Sequence, residues 1–411
     1  MRYGLLGEKL GHSFSKEIHE KLGLYKYDLI ELSPAGLDAF MREKDFSGVN
    51  VTIPYKQTVI PYLDEISERA KTIGAVNTIV NREGKLFGDN TDFGGMEALI
   101  YRAGLEIKGK TVLIAGTGGT SKTARAVAET LGAAKVIRMS RGGKDGAISY
   151  EEAYEKYSDA EILFNTTPAG MFPHPEGIAV DLDRLPKLEG VIDVVYNPLT
   201  TRLVREARER GIKAENGLYM LVAQAILAAE DFTGRDFGRN CIDSIFAEIV
   251  FEKRNIVLTG MPSSGKSTIG RILSEKLGRD LVDTDAEIVK KAGMPITEIF
   301  ARKGEKAFRD LESEIITEFS GIGGRIISTG GGAVLRKQNV DALKMNGTVV
   351  FLDRPLDALL PSDDRPLADD ADKIRKLYAV RYPIYTSSAD VVIRAEGSPE
   401  QTAEKLLEKL K

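Results

Sequence analysis

Residues 255–268 read NIVLTGMPSSGKST, and this segment is the strongest indication of the fold of the second part of the chain. A short β-branched run leads into Gly260-x4-Gly265-Lys-Ser, the full spacing of a phosphate-binding P-loop, and a helical pattern follows. A strand, a glycine loop and a helix in this order are typical of a βαβ unit in a parallel sheet. The NH groups of such a loop surround phosphates, while Lys266 reaches the β- and γ-phosphates and Ser267 binds Mg²⁺. The stretch therefore predicts a site for a nucleotide with Mg²⁺.

The same order of elements occurs at KTVLIAGTGGTS, residues 110–121. This loop has the pattern of a dinucleotide-binding turn without its third glycine, and the helix N-terminus would present NH groups to a pyrophosphate. The next strand, 136–139, ends in Ser140 and Arg141, and Lys144 follows. NAD enzymes usually carry an acidic residue here for the ribose 2′-hydroxyl, whereas serine followed by basic residues suits a 2′-phosphate. The sequence therefore favours NADP(H) at this site.

The composition excludes several kinds of chemistry. The 411 residues include one cysteine, three histidines and no tryptophan. A disulfide framework is impossible with one cysteine, and Cys/His zinc clusters lack ligands. No histidine follows His174, so a Ser-His-Asp or Cys-His mechanism is not expected in the second half. We therefore expect the chemistry to depend on lysine, aspartate, arginine and bound cofactors. His19 is expected on the surface of a helix.

Charge and hydropathy predict a cytoplasmic protein. The 57 basic and 61 acidic residues give a net charge of −4, without the basic excess of a nucleic-acid or anionic-membrane binder. No apolar run reaches the length of a membrane helix, and the N-terminus lacks the apolar segment of a signal peptide. We therefore expect small-molecule partners, with no nucleic acid and no membrane. Nothing in the sequence indicates the oligomeric state.

Alternating strands and helices predict three α/β domains. Residues 1–102 form the first, against which 217–250 is expected to pack. Residues 103–235 form a Rossmann-like dinucleotide-binding domain. Residues 255–411 form a P-loop domain with a parallel sheet, of the nucleoside-monophosphate-kinase type. The fold class is α/β in all three.

Seven short blocks carry a resemblance over about residues 1–250. Four are clusters of hydroxyl, amide and carboxylate side chains, which are the groups that bind a polyhydroxylated small molecule, and three are motifs further along the chain. The blocks are 11–15, 50–56, 74–77, 88–92, 165–171, 193–198 and 217–224. In this order and spacing they resemble shikimate dehydrogenase, a family that reduces 3-dehydroshikimate to shikimate with NADPH.

The resemblance implies roles for individual residues. Lys56 and Asp92 match the catalytic pair of the family, and Ser13 and Ser15 match the serines that hold the substrate carboxylate. The chemistry agrees, because hydride arrival on a carbonyl carbon creates an alkoxide that a lysine ammonium can stabilise and protonate. Further substrate contacts are implied for Thr52, Asn77, Asp92, Tyr196, Gly217 and Gln224. Contacts with NADP(H) are implied for Gly116, Thr117, Gly118, Gly119, Thr120, Ser140, Arg141 and Lys144.

A second resemblance covers about residues 255–411. After the P-loop come the blocks 283–285, 304–312, 328–332, 364–367 and 381–385. In this order they resemble shikimate kinase, which transfers the γ-phosphoryl group of ATP to shikimate and forms shikimate 3-phosphate.

This second resemblance implies that Asp285 accepts a hydrogen bond from the attacking hydroxyl. Arg309 and Arg381 would clamp the shikimate carboxylate, since planar guanidinium groups suit that task, and Gly331 would approach the substrate. Asp283 would join Ser267 beside Mg²⁺, and Lys266 and the lid residue Arg365 would stabilise the transferred phosphoryl group. Nucleotide contacts are implied for Ser263, Ser264, Gly265, Lys266, Ser267, Thr268 and Arg365.

We therefore expect a bifunctional enzyme of aromatic amino-acid biosynthesis that uses NADP(H), ATP and Mg²⁺. Two enzymatic alternatives stay open: a quinate-type dehydrogenase that uses NAD, and another P-loop kinase of small metabolites. A non-catalytic metabolite sensor is the competing class. A sensor derived from such enzymes would be expected to have lost some of the reactive residues. All of them are present in this chain: Lys56, Asp92, Lys266, Asp285 and Arg309.

Overall fold

The computed structural model describes residues 2–11, 14–359 and 370–410 of the chain. Two compact units are present. The first comprises Met1–Asn197 and Thr201–Ile249, and the second comprises Pro198–Thr200 and Val250–Lys411. Two six-stranded sheets belong to the first unit, and a five-stranded sheet belongs to the second. Ser13 and Arg365, which are predicted site residues, lie outside the described residues.

The first sheet is mixed and has the strand order β2-β1-β3-β5-β6-β4. Its strands are β1 (Tyr3–Gly7), β2 (Tyr27–Glu31), β3 (Gly48–Val51), β4 (Glu65–Ile66), β5 (Thr78–Arg82) and β6 (Lys85–Asp89). Its helices are α1 (Ser15–Lys21), α2 (Pro34–Glu43), α3 (Glu68–Ile73) and α4 (Thr91–Arg102). Every residue of β1 is buried, as expected for a parallel strand between two neighbours. Gly4 allows β2 to approach, because a Cβ there would lie 2.5 Å from the Asp28 carbonyl oxygen.

The second sheet is parallel throughout and has the order β12-β11-β10-β7-β8-β9. Its strands are β7 (Thr111–Ala115), β8 (Lys135–Ser140), β9 (Ile148–Ser149), β10 (Ile162–Asn165), β11 (Gly190–Asp193) and β12 (Lys213–Asn216). Its helices are α5 (Gly119–Thr130), α6 (Tyr150–Lys156) and α7 (Arg202–Glu209). The carboxyl ends of parallel strands meet at one edge, so the loops after β7, β8, β10 and β11 gather there.

Two helices follow the second sheet, α8 (Leu218–Thr233) and α9 (Gly238–Lys253). Helix α8 packs against α4, α1 and β5 of the first sheet. Its residues Ala228 and Phe232 share a core with Tyr3 and Tyr27. The chain therefore passes through the second sheet and returns to complete the core of the first.

His19 lies in this core, so the prediction that it lies on a helix surface is wrong. Its side chain is fully buried, its ring stacks on Tyr27 at 4.0 Å between centroids, and its Nδ1 lies 2.8 Å from the Tyr25 hydroxyl. Burial lowers the pKa of His19 to about 3. The face of α1 that carries His19 meets α8, a helix far along the chain, and the local helical pattern contains no sign of that partner.

The third sheet is also parallel throughout, with the order β14-β15-β13-β16-β17. Its strands are β13 (Asn255–Thr259), β14 (Leu281–Asp283), β15 (Ile326–Ser328), β16 (Gly347–Asp353) and β17 (Val391–Arg394). Its helices are α10 (Lys266–Leu277), α11 (Thr284–Ala292), α12 (Ile296–Ser320), α13 (Lys337–Asn346), α14 (Ala371–Ser388) and α15 (Pro399–Leu410). The P-loop follows the central strand β13 and leads into α10, so phosphate-binding groups lie at the carboxyl edge of this sheet.

Among the described residues, no helix combines the length and apolarity that crossing a bilayer requires.

Candidate active sites

An ion pair between Lys56 and Asp92 marks the first site. Lys56 lies in the turn after β3, and Asp92 is the second residue of α4. Lys56 Nζ donates to Asp92 Oδ2 at 2.6 Å, and Asn77 Nδ2 donates to Asp92 Oδ1 at 2.8 Å. The side chains of Lys56 and Asp92 are 27% and 16% exposed. Both side chains are therefore mostly buried but remain partly accessible to a ligand.

The amide of Asn77 is held in one orientation. Its Oδ1 accepts from the Thr91 NH group at 2.7 Å and from the Thr78 hydroxyl at 3.0 Å. Because donors occupy the oxygen, the NH₂ group is the part of the amide that faces Asp92. Both oxygens of Asp92 thus have fixed donors, and the carboxylate position is determined from two sides.

The remaining predicted substrate residues lie on separate elements of the first unit. Ser15 is buried and begins α1, and Thr52 follows β3, where its NH donates to the Leu6 carbonyl at 2.9 Å. The Tyr196 ring lies 5.4 Å from the ring of Phe14, the residue before Ser15. Gln224 lies on α8 against Gly95 of α4, the helix whose first turn carries Asp92.

Gly217 must be a glycine for steric reasons. A Cβ at this position would overlap the Val194 carbonyl oxygen, and the Gly217 NH donates to the Val195 carbonyl at 3.1 Å. The start of α8 is therefore pressed against the segment after β11 that carries Tyr196.

The loop between β7 and α5 has room for a phosphate. Gly116 has φ of +115°, and a Cβ there would lie 2.5 Å from Thr166 Oγ1. At Gly118 and Gly119, by contrast, a Cβ would meet nothing within 4 Å, so there is open space at the start of α5. Thr117 and Thr120 flank these glycines in the same loop. The loop fits the pyrophosphate of a dinucleotide at a helix N-terminus.

The end of β8 presents polar and basic groups near this loop. Ser140 is the last residue of β8 and its Oγ accepts from the Lys144 NH at 3.3 Å. Arg141 and Lys144 are both exposed. β8 pairs directly with β7, so these side chains lie at the same sheet edge as the glycine loop. This arrangement fits the 2′-phosphate of NADP(H).

Asp193 is a buried carboxylate at the start of the motif 193–198, for which the sequence predicted no role of its own. Its Oδ1 accepts from Asn165 Nδ2 at 2.9 Å and from the Val195 NH at 3.1 Å, and its Oδ2 accepts from the Thr201 hydroxyl at 2.6 Å. Burial raises the pKa of Asp193 to about 6. The carboxylate joins the ends of β10 and β11 and so fixes the segment that carries Tyr196. Its position at a strand end was the available sequence signal.

A cavity of about 510 Å³ at the edge of the third sheet marks the second site. Lys266 is buried, and its Nζ donates to the carbonyls of Gly260 at 3.1 Å and Met261 at 2.9 Å. Ser263 has φ of +63°, and Ser264 is buried. The cavity brings together the following predicted residues: Ser263, Gly265, Lys266, Ser267, Thr268, Asp283, Asp285, Arg309, Gly331 and Arg381.

Ser267 and Asp283 form a pair of oxygen donors that fits Mg²⁺. The Ser267 hydroxyl donates to Asp283 Oδ2 at 2.8 Å, while Asp283 Oδ1 accepts from the Asp285 NH at 3.1 Å and caps α11. Within the described part of the chain, no group of three or more His, Cys, Asp or Glu side chains is placed to hold a metal ion. Mg²⁺ in phosphoryl-transfer sites needs only one or two protein ligands, because phosphates and waters supply the rest.

Two arginines face the other end of the cavity. Arg309 Nη1 donates to Glu312 Oε2 at 2.7 Å, and Arg381 Nη1 donates to the Gly331 carbonyl at 3.1 Å. Tyr385 also donates to the Gly331 carbonyl. Both guanidinium groups are thus held in place by contacts within the protein, which favours bidentate carboxylate binding.

The three glycines after β15 lie directly against these side chains. A Cβ on Gly330 would lie 2.6 Å from Asp285 Oδ1 and 2.9 Å from Glu312 Oε1, and a Cβ on Gly332 would overlap the Arg309 guanidinium group. Glu312 is fully buried, which raises its pKa although Arg309 acts in the opposite sense. Glu312 was not among the predicted site residues. Its spacing of three residues after Arg309 on one helix was the signal that could have identified it.

Comparisons with known proteins give matches to both parts of the chain. The shikimate kinase family model matches residues 262–411, and the model of the shikimate dehydrogenase substrate binding domain matches residues 5–79. The shikimate dehydrogenase (NADP(+)) of Clostridium perfringens (strain 13 / Type A) is 36% identical over 277 residues, covering 60% of this chain and 97% of the relative.

Two solved structures cover the same part of the chain. Shikimate 5-dehydrogenase from Thermus thermophilus, in complex with NADP(H) and shikimate, matches at 31% identity and a TM-score of 0.54, covering 60% of this chain and 99% of that one. Quinate dehydrogenase from Corynebacterium glutamicum, in complex with NAD, also matches at 31% identity and a TM-score of 0.54, with 60% and 99% covered.

Proposed function

We propose how individual residues carry out two successive reactions in this chain, which belongs to the shikimate dehydrogenase family over its first 60% and ends in a shikimate kinase domain. The predicted families are confirmed, and so is the predicted fold class of two α/β dehydrogenase domains followed by a P-loop domain. The chain is a bifunctional enzyme of the shikimate pathway that uses NADP(H) and ATP. The roles of individual site residues and the boundaries of the three domains are proposed.

For the dehydrogenase reaction, we assign proton transfer to Lys56. When bound, NADPH supplies the hydride to the carbonyl carbon of 3-dehydroshikimate. The Lys56 ammonium stabilises the oxygen as it becomes an alkoxide and gives it a proton. Asp92, held by Asn77, orients that ammonium and accepts from a substrate hydroxyl. The observation that carries the proposal is the 2.6 Å contact between Lys56 and Asp92, with the second carboxylate oxygen fixed at 2.8 Å by Asn77.

The other polar groups of the first site bind and orient the substrate. Ser15, with Ser13, holds the carboxylate, and Thr52 and Gln224 contact hydroxyls. Tyr196 and Gly217 line the site from the segment that Asp193 fixes. The loop 116–120 binds the pyrophosphate of NADP(H), and Ser140, Arg141 and Lys144 bind its 2′-phosphate.

In the kinase reaction the protein positions the two reactants and neutralises charge. Lys266 and the P-loop NH groups bind the phosphates of ATP, and Ser267 and Asp283 hold Mg²⁺ beside them. Asp285 accepts from the attacking hydroxyl of shikimate. Arg309 and Arg381 bind the shikimate carboxylate, and the Gly331 NH group approaches the substrate. Arg365 completes the charge stabilisation from the lid.

Both reactions are proposed to run in the cytoplasm on small molecules, with neither nucleic acid nor membrane as a partner. Shikimate formed at the first site is the substrate of the second. The two active sites are assigned to separate sets of residues, so each should work when the other is inactivated.

A coupled assay tests the proposal. The full chain is given 3-dehydroshikimate, NADPH, ATP and Mg²⁺, and shikimate 3-phosphate is measured together with NADP⁺ and ADP. We expect all three products in equal amounts, and shikimate when ATP is omitted. Accumulation of shikimate in the presence of ATP would refute the kinase assignment, and unchanged NADPH would refute the dehydrogenase assignment. Exchanging NADPH for NADH, and shikimate for quinate in the reverse reaction, tests the quinate-type alternative.

A further inference from the structure

The strand order of the third sheet places Arg354 beside the P-loop. Strand β16 pairs with β13, with Phe351 opposite Thr259, so the residues after β16 border the loop that follows β13. The two segments touch, because a Cβ on Gly260 would lie 2.9 Å from the Leu352 carbonyl oxygen. Arg354 comes directly after β16 and lines the same cavity as Lys266.

The guanidinium group of Arg354 reaches the phosphate end of this cavity. Its Nη1 would lie 3.8 Å from a Cβ built on Gly265, the residue before Lys266. Its Nε is buried and, among the residues that the structure describes, has no hydrogen-bond partner. No ion pair of Arg354 is found in the described ranges 2–11, 14–359 and 370–410 either. The side chain is half buried, so water compensates only part of its charge.

The other cations of the cavity already have partners in the protein. Lys266 donates to two P-loop carbonyls, Arg309 pairs with Glu312, and Arg381 donates to the Gly331 carbonyl. Of the described lining cations, only Arg354 has neither a hydrogen bond nor an ion pair. Such a half-buried, unpaired guanidinium group is stabilised when an anion with a matching oxygen pair binds next to it.

The charge of the cavity points to the same ligand. Its described lining contains four cationic side chains, Lys266, Arg309, Arg354 and Arg381, and three carboxylates, Asp283, Asp285 and Glu312. Without Arg354 the lining would be neutral, which suits a nucleotide triphosphate poorly. The chain also has no Lys or Arg between Arg354 and Arg365, so no nearby basic residue of this segment could take its place.

We propose that Arg354 is a nucleotide-binding residue of the kinase site, where its guanidinium group binds phosphate oxygens of ATP together with the P-loop. This inference rests on the proposed kinase function. Arg354 was not among the residues that the sequence implied, since it lies outside the motifs that carry the resemblance to shikimate kinase. It adds a fixed cation at the sheet edge to the phosphate-binding groups of the P-loop.

The test compares Arg354→Gln and Arg354→Lys with the unaltered full chain. For Arg354→Gln we expect the KM for ATP and the inhibition constant of ADP to rise roughly 10- to 100-fold, as for loss of charged hydrogen bonds. The KM for shikimate and the inhibition constant of adenosine should stay within about twofold of the unaltered chain. Arg354→Lys keeps the charge without the planar fork, and we expect an intermediate KM for ATP.

Two controls separate the possible outcomes. Arg271→Gln removes an exposed arginine of α10 that does not line the cavity, and it should leave every constant unchanged. An unchanged KM for shikimate in the kinase reaction, together with an unchanged circular dichroism spectrum, reports whether the P-loop domain of each variant is folded. Unchanged ATP and ADP constants in Arg354→Gln would overturn the inference, and an equal loss of ADP and adenosine binding would show contact with the base instead of the phosphates. If the unaltered chain bound no ADP, the kinase function itself would fail.

Discussion

Lys56 Nζ and Asp92 Oδ2 lie 2.6 Å apart although 36 residues separate them in the chain. The antiparallel pairing of β3, β5 and β6 brings the end of β3 close to the start of α4. Asn77 precedes β5 and holds the other oxygen of Asp92. A proton donor and the carboxylate that orients it are thus built on a rigid sheet edge, which favours precise positioning.

Replacing the lysine should stop only the first reaction. We expect Lys56→Ala to lower kcat for 3-dehydroshikimate reduction by about 10²- to 10⁴-fold, because the developing alkoxide loses its proton donor. Phosphorylation of shikimate should be unchanged. Lys71→Ala, which removes an exposed lysine, serves as the matched control. NADPH oxidation followed spectroscopically gives the answer, and a loss below about tenfold would remove Lys56 from the proton-transfer step.

The reciprocal change is Lys266→Ala. We expect kinase turnover to fall by at least about 10²-fold, since a cation next to the transferred phosphoryl group is lost. Dehydrogenase activity should remain. Lys276→Ala removes a more exposed lysine on the same helix and should affect neither reaction. If Lys266→Ala silenced both reactions in a folded protein, the two sites would not be independent.

A methyl group at Gly332 should disturb carboxylate binding in the kinase site. The Cβ of Gly332→Ala would overlap the Arg309 guanidinium group, which is buried and tied to Glu312. We expect the KM for shikimate to rise about 10-fold or more, because a displaced arginine loses its charged hydrogen bonds, while the KM for ATP changes little. Gly36→Ala, in a roomy helix position, is the control. An unchanged KM for shikimate would show that Arg309 does not bind this substrate.

The preference for NADPH should depend on the basic residues after β8. Arg141 and Lys144 are exposed, so each contact with a 2′-phosphate is partly screened by solvent. We expect the double change Arg141→Ala with Lys144→Ala to raise the KM for NADPH roughly 10-fold and to leave the KM for NADH unchanged. Arg125→Ala, on the exposed side of α5, is the control. Equal effects on both dinucleotides would contradict the assignment of these residues to the 2′-phosphate.

Asp193 should make stability depend on pH. Its pKa is raised from 3.8 to about 6 by burial, so the folded state holds the proton more tightly than the unfolded state does. The stabilising contribution is complete below about pH 4 and is lost as the pH rises through about 6. Asp193→Asn does not titrate. We expect its stability relative to the unaltered chain to increase by up to about 3 kcal/mol from about pH 4 to about pH 7.

Urea unfolding at several pH values, followed by circular dichroism, measures this difference. An isosteric asparagine can still accept from Asn165 and Val195, so the fold should be retained. A difference between the two proteins that did not change with pH would mean that Asp193 titrates normally.

Much of both candidate sites could be predicted from local sequence, because the residues that form each nucleotide-binding loop are contiguous in the chain. The P-loop and the loop 116–120 each need only a strand, a few glycines and a helix start, and their NH groups act as local ligands. Further site residues, such as Lys56 and Arg309, were predicted because the blocks that contain them match motifs of the two families. The parallel second and third sheets also followed, since repeated strand–loop–helix units permit few other arrangements.

Contacts between groups from distant segments became visible only in the folded chain. His19 is buried because α8 covers α1, Asp193 joins two strand ends, and Glu312 holds Arg309 beneath Gly332. Arg354 reaches the P-loop because β16 lies next to β13. The two nucleotide loops and the two families could be identified from the chain alone, since each is encoded in contiguous motifs. The burial of His19 and Asp193 and the position of Arg354 could not be predicted in this way. They depend on which helices and strands become neighbours in the fold, and these neighbours are far apart in the chain.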